Sequence, residues 1–155
     1  MMKKTRIALL LTLALGILAT KVRAADLEMR NDADLWIYGS RISVWFEDIT
    51  NFSDEKSGQV RIRVWATKDR WDPEFRGEVL GISLLPRFYA HQNRSNVHRN
   101  MHLHRPSDTD DYYITVTLEE RVSDESGVHW EIRDTFEFDD RVYISEHNYH
   151  FPFWW

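Results

Sequence analysis

His98, His102 and His104 are the residues of this chain whose type and spacing point most directly to chemistry. In an extended strand, side chains two apart share a face, so His102 and His104 would reach one metal ion, and imidazole suits zinc or copper. No third ligand follows at a fixed spacing. The histidines alternate with Val97, Met101 and Leu103, which is the pattern of a polar outer face. Asp108-Thr109-Asp110-Asp111 gathers carboxylates of the kind that hold calcium, and Asp69, Asp72 and Glu74 lie in another loop. No EF-hand loop accompanies them, and acids in turns are solvated by default. The chain is therefore expected to carry no metal and no cofactor.

Catalytic patterns are missing as well. The sequence has no Gly-x-Ser-x-Gly elbow, no glycine-rich phosphate loop and no His-Glu-x-x-His. Glu119 and Glu120 are adjacent, so on a strand they face opposite ways and do not act on one bond. No catalytic residue is assigned. Two groups have the composition of contact surfaces. Arg61, Arg63 and Trp65 share one face of a strand, and Arg and Trp carry interface energy more often than other residues. Their alternative is cross-strand pairing of the arginines with Glu119, Glu131 or Glu137. Arg70 and Trp71 stand in a loop, where a large ring serves to stack on a sugar, to anchor a protein partner or to fold back and cap the domain.

The elements that must position these residues are strands. In Arg41–Phe46, Ile42, Val44 and Phe46 alternate with polar neighbours, and the apolar phase then slips to Ile49, as a β-bulge near Glu47-Asp48 would cause. Val60, Ile62, Val64 and Ala66 line one face of the next strand. Leu80, Ile82 and Leu84 mark another, ended by Pro86. Tyr112, Ile114, Val116 and Leu118 alternate in a further strand. After the turn Asp124-Glu125-Ser126-Gly127, Val128, Trp130, Ile132, Phe136 and Phe138 follow in a last long one. Six or seven strands, each with one apolar face, predict two antiparallel sheets packed face to face.

The first 24 residues have a different character. Met1-Met2-Lys3-Lys4-Thr5-Arg6 is basic, Ile7 to Ala19 is apolar, and Val22-Arg23-Ala24 ends in small residues at the positions a signal peptidase reads. The apolar run is shorter than the ~20 residues of a membrane-spanning helix. The expected organisation is a cleaved signal peptide over 1–24, a β-sandwich over 25–148 and an aromatic tail over 149–155, in a periplasmic or secreted protein. Removing Lys3, Lys4, Arg6, Lys21 and Arg23 from 20 Lys+Arg, against 25 Asp+Glu, leaves a net charge of −10. Such a field opposes binding to nucleic acid and to anionic membranes. With no cysteine, the domain is held by its core alone.

The tail alternates Tyr149, Phe151, Phe153 and Trp155, with Trp154 beside them. An aromatic end of this sort is like the last strand of an outer-membrane barrel, and eight short strands would fit this length. Pro152 interrupts the pattern, and Arg61, Arg63, Glu119, Glu131 and Arg133 on the outer faces are costly opposite lipid. The other reading is a tail that packs along a sheet edge or joins a partner as an added strand.

Ile42-Ser43, Ile49-Thr50-Asn51, Ser57 through Thr67, Gly77 with Leu80-Gly81 and Leu84, Arg105-Pro106, Tyr112 through Glu120 and Asp134-Thr135-Phe136 occur in that order. Over about residues 35 to 138 the chain resembles uncharacterised secreted bacterial domains related to immunoglobulin-like, cell-adhesion-related (CARDB-type) modules. The resemblance implies a sandwich used for adhesion or for spacing other domains, and brings no catalytic residues with it. The expectation is an all-β, immunoglobulin-like sandwich that acts as a non-catalytic interaction module of the envelope or extracellular space. Its partner is another protein or a surface glycan, met through Arg70, Trp71, Trp154 and Trp155. A small outer-membrane barrel and a carbohydrate- or metal-binding module are the alternatives. The sequence leaves the oligomeric state open.

Overall fold

The computed structural model describes residues 24–72, 74, 77–145 and 149–150. Residues 1–23 of the leader and residues 151–155, including Trp154 and Trp155, lie outside the described residues. Eight strands follow one another: β1 (Leu27–Tyr38), β2 (Arg41–Asn51), β3 (Gln59–Thr67), β4 (Glu78–Leu85), β5 (Asn93–His102), β6 (Asp110–Asp124), β7 (Gly127–Ile144) and β8 (Tyr149–His150). They form a three-stranded sheet ordered β1-β2-β5 and a five-stranded sheet ordered β4-β3-β6-β7-β8, and every pairing is antiparallel.

The chain crosses between sheets after β2, β4 and β5, which is the Greek-key routing of an immunoglobulin-like sandwich. Compared with the constant-type arrangement, β4 pairs with β3 rather than closing the smaller sheet beyond β5. Among the described residues the sheets end in edges and do not close on themselves, so the fold is a sandwich and not an outer-membrane barrel.

The predicted alternation holds on most strands because one face of each sheet must leave water. It fails on two: Leu80 is an extra residue in the β3–β4 register, so Ile82 and Leu84 are exposed rather than sharing its inner face, and the β6–β7 register shift at Arg133 leaves Val128 and Ile132 exposed instead of in phase with Phe136 and Phe138. Ile42, Val44, Phe46 and Ile49 of the small sheet and Val60, Ile62, Val64, Leu80, Ile114, Val116 and Leu118 of the large one are buried together. The phase slip in β2 has its cause beside it. Two residues of β1, Asn31 and Asp32, stand between the Arg30–Asp48 and Ala33–Phe46 pairs, where β2 has only Glu47. The extra residue therefore belongs to β1, with Asn31 at φ 64°, and β5 bends at the same level with Asn96 at φ 53°.

Two further devices hold the sandwich. Tyr112, buried at the start of β6, donates its phenol hydrogen to the carbonyl of Asp108 at 2.9 Å, the tyrosine corner of such folds. Burial pushes this phenol's pKa up. At Gly81 the sheets approach closely, since a Cβ there would lie 2.9 Å from Ile42 Cγ2 and 3.2 Å from Met101 Cβ. Gly81→Val therefore overpacks the interior. It is expected to cost about 1–3 kcal/mol, read as a lower urea midpoint at unchanged slope.

Candidate functional site

The central strand β6 is buried on its outward face as well as its inward one. Thr115, Thr117 and Glu119 point away from the core, yet each is shielded from water. Long side chains on the flanking strands cover them. Arg61 and Arg63 of β3 both reach Glu119 Oε2, at 2.6 and 2.9 Å. Arg61 also lies 4.0 Å over the Trp130 ring of β7, and Arg63 4.6 Å over Trp65. Trp65 donates its indole N–H to Thr117 Oγ1 at 2.9 Å, and Thr117 donates in turn to Glu119 Oε1 at 2.8 Å. Of the two readings of Arg61 and Arg63, cross-strand pairing is the one realised, with Glu119 as the shared partner. Glu131 instead pairs with Arg133, and Glu137 with Arg70.

The loop after β3 folds onto this face. Arg70 Nη1 meets Glu137 Oε1 at 2.6 Å, and its guanidinium lies 4.5 Å over the Tyr113 ring. The backbone N–H of Trp71 donates to Glu137 Oε2 at 2.5 Å, and its ring leans on Trp65 with centroids 5.7 Å apart. Trp71 is half-buried and Arg70 remains about half exposed, at 54% of its side chain. The loop thus covers the outer face of the large sheet beside β7 rather than the end of the sandwich.

On the other side of the same stretch of β7 the two sheets gape. A cleft of about 600 Å³ opens between β1 and β7, lined by Leu35, Ile37, Ile114, Phe136, Phe138 and Val142, with Asp34, Asp139 and Asp140 among the polar residues at its walls. Phe136 and Phe138 stack edge to face, 5.0 Å apart. No described strand pairs with the outer edge of β1, and the described residues of β8 pair with β7 at Tyr143 and Ile144. Sequence reading did not find this cleft. The sequence pattern puts Phe136 and Phe138 on an apolar face of β7, but that they are only partly buried follows from the strand pairings among the described residues.

The metal-like clusters resolve into ordinary partners. His98 shares a hydrogen bond with Ser43 at 2.7 Å, and the exposed rings of His102, at the end of β5, and His104, just past it, meet edge to face with centroids 5.3 Å apart. Lys68 places its ammonium 3.0 Å from Asp108 and 3.3 Å from Asp110, where a bound cation would otherwise sit. Hydrogen bonds to these two carboxylates raise its pKa. The Asp111 backbone N–H, and then Lys68, hold the Asp110 carboxyl below its usual range. Among the described residues no group of three metal-ligating side chains converges.

Fold and site together define an antiparallel two-sheet β-sandwich with an open edge cleft. No protein-family profile matches the chain, and no curated protein matches it. Among solved structures, a beta-glucosidase from Kluyveromyces marxianus is similar over 81% of this chain, at 12% identity and a TM-score of 0.41. Beta-glucosidase 3B from Thermotoga neapolitana, solved in complex with glucose, is similar over 74%, at 11% identity and a TM-score of 0.37. The chain corresponds to 15% and 16% of the lengths of these enzymes.

Glu119→Gln leaves two guanidinium groups facing each other across an uncharged amide. It is expected to destabilise the domain by about 3 kcal/mol in chemical unfolding, the scale for breaking a buried pair. Lys68→Ala removes one of the two main causes of the low Asp110 pKa. Carboxyl NMR titration should find that pKa raised part of the way to the ordinary ~3.9. A depressed folded pKa contributes stability above the ordinary value and loses it as pH falls through the folded one. The variant should therefore lose part of that contribution.

Proposed function

We propose that this chain is a non-catalytic interaction module, exported by its basic and apolar leader to the periplasm or beyond, and that it binds a partner protein by strand addition at the β7 edge. The observation that carries this reading is the apolar cleft beside an edge that, among the described residues, no strand covers before Tyr143. A partner segment in extended conformation would take main-chain hydrogen bonds from β7 and set alternate apolar side chains into the cleft. Arg70 and Trp71 lie against Glu137 on the opposite face of the same edge, so one added strand would touch them too. Trp154 and Trp155 follow β8 in sequence and complete the proposed contact set.

The absence of catalysis is supported by the way the buried carboxylates are used. Glu119 is held by two arginines, and Glu120 by two backbone N–H groups and Arg133. The resemblance to cell-adhesion-related modules favours the same role. A surface glycan is the other partner class, and it would engage Trp71 rather than the cleft.

A photo-crosslinking phenylalanine analogue at position 138, in the full chain expressed in bacterial cells, tests the reading. The expected result is a discrete adduct with one envelope or extracellular protein, lost when Leu35→Asp is added and absent when the analogue replaces His98. Equal adducts at both positions, or none at 138, would sink the proposal.

A further inference from the structure

Glu120 is a buried charged group that the binding reading does not use. It lies on the inward face of β6, 3% exposed, at the end of the core. Its Oε1 accepts the Gly58 N–H at 2.6 Å, and its Oε2 accepts Arg133 Nε at 2.8 Å and the backbone N–H of Ala25 at 3.0 Å. Arg133 reaches this carboxylate because it is the extra residue where the β6–β7 register shifts between Leu118 and Glu119. It also pairs with Glu131 at 2.7 Å. One guanidinium thus serves two carboxylates, and the cluster carries a net charge of −1.

Ala25 is itself 3% exposed, and it is the residue at which the leader's small-residue pattern places the cut. We propose that removal of the leader converts the Ala25 amide nitrogen into an α-ammonium that completes a buried ion pair with Glu120. The reaction is hydrolysis of the Ala24–Ala25 peptide bond: water supplies a hydroxyl to the Ala24 carbonyl carbon and a proton to the Ala25 nitrogen, which takes up a further proton at neutral pH. The new charge brings the Glu120, Glu131 and Arg133 cluster to neutrality. Export processing would then finish the fold, anchoring the start of β1 to the opposite sheet.

The neighbouring groups agree with this placement. Four residues on, the Met29 N–H donates to Asp134 Oδ2 of β7 at 2.6 Å, a second tie from the start of the chain's first strand to the large sheet. The charged groups around the nitrogen are Glu120 from β6, Arg133, Glu131 and Asp134 from β7, and the exposed Asp26 beside it. The carboxylates outnumber the one cation, so the field favours the protonated amine.

The proposal rests on the leader reading for the cut and on the described residues for the carboxylate that receives it. The full chain is expressed in a bacterial host, and the processed protein is recovered from the periplasm or medium. Intact mass should show a chain beginning at Ala25. Its amines are then reductively methylated with labelled formaldehyde, and the α-amine is titrated by NMR with the lysines Lys56 and Lys68 as references. The α-amine pKa should lie above the ordinary ~7.7–8.0, whereas burial without the ion pair would lower it. A raised folded pKa contributes stability below the ordinary value and loses it as pH rises through the folded one, so the processed protein should weaken above about pH 8.

A serine inserted between Ala24 and Ala25 in the precursor moves the charge outward but keeps an amide at Ala25. That form should show an ordinary α-amine pKa and melt about 3 °C lower, and it keeps the test decisive if Glu120→Gln does not fold. An unprocessed chain would overturn both this proposal and the export reading. A cut elsewhere, or an α-amine pKa at or below the ordinary value, would overturn the ion pair and leave export standing.

Discussion

Two carboxylates on adjacent residues of a strand buried on both faces constrain everything around them. Glu119 and Glu120 sit in β6, and β6 is the central strand of the larger sheet. An unpaired buried carboxylate is prohibitively costly, so each side of the sheet must supply cations or N–H donors at that level. On the outer side β3 supplies Arg61 and Arg63. On the inner side the demand is met by Arg133, Gly58 and Ala25. The register shift between β6 and β7 falls at Leu118 and Glu119, where it delivers Arg133 to the inner carboxylate.

The same economy explains the outer surface. A sandwich sheet ordinarily turns a hydrated face to solvent. Here Trp65, Trp71 and Trp130 cover the arginines and the threonines of β6, and the indole of Trp65 closes a hydrogen-bonded line through Thr117 to Glu119. Aromatic rings shield the guanidinium groups without competing for their hydrogen bonds. The loop carrying Arg70 and Trp71 is drawn onto β7 by Glu137, which brings the exposed guanidinium to the strand edge that borders the cleft.

Much of the architecture was legible in the sequence. Period-two alternation marked the strands, because a half-buried strand must alternate wherever it lies. The opposite facing of Glu119 and Glu120 followed from the same geometry. The pairing partners followed less completely. Glu119, Glu131 and Glu137 were all candidates for Arg61 and Arg63, and only the β3–β6 register, which sets Arg61 directly opposite Glu119, selects Glu119. Tyr112 read as one more core residue; its place just after the Asp108 turn was the signal for the corner it forms. The length of β7, which runs on to Ile144, was hidden because Asp139-Asp140-Arg141 breaks the apolar pattern at the open edge.

By itself the sequence determined the strand content, the inward face of β2, β3 and β6, the lack of catalytic and metal-binding patterns, and the basic-apolar leader. These are local properties, set by the side-chain period and by residue chemistry. The tertiary structure decided which strands lie side by side, which edges stay uncovered, and which acid meets which base. Those depend on contacts between residues far apart in the chain, as between Ala25 and Glu120 or Arg70 and Glu137, and a bulge of one residue changes every pairing beyond it.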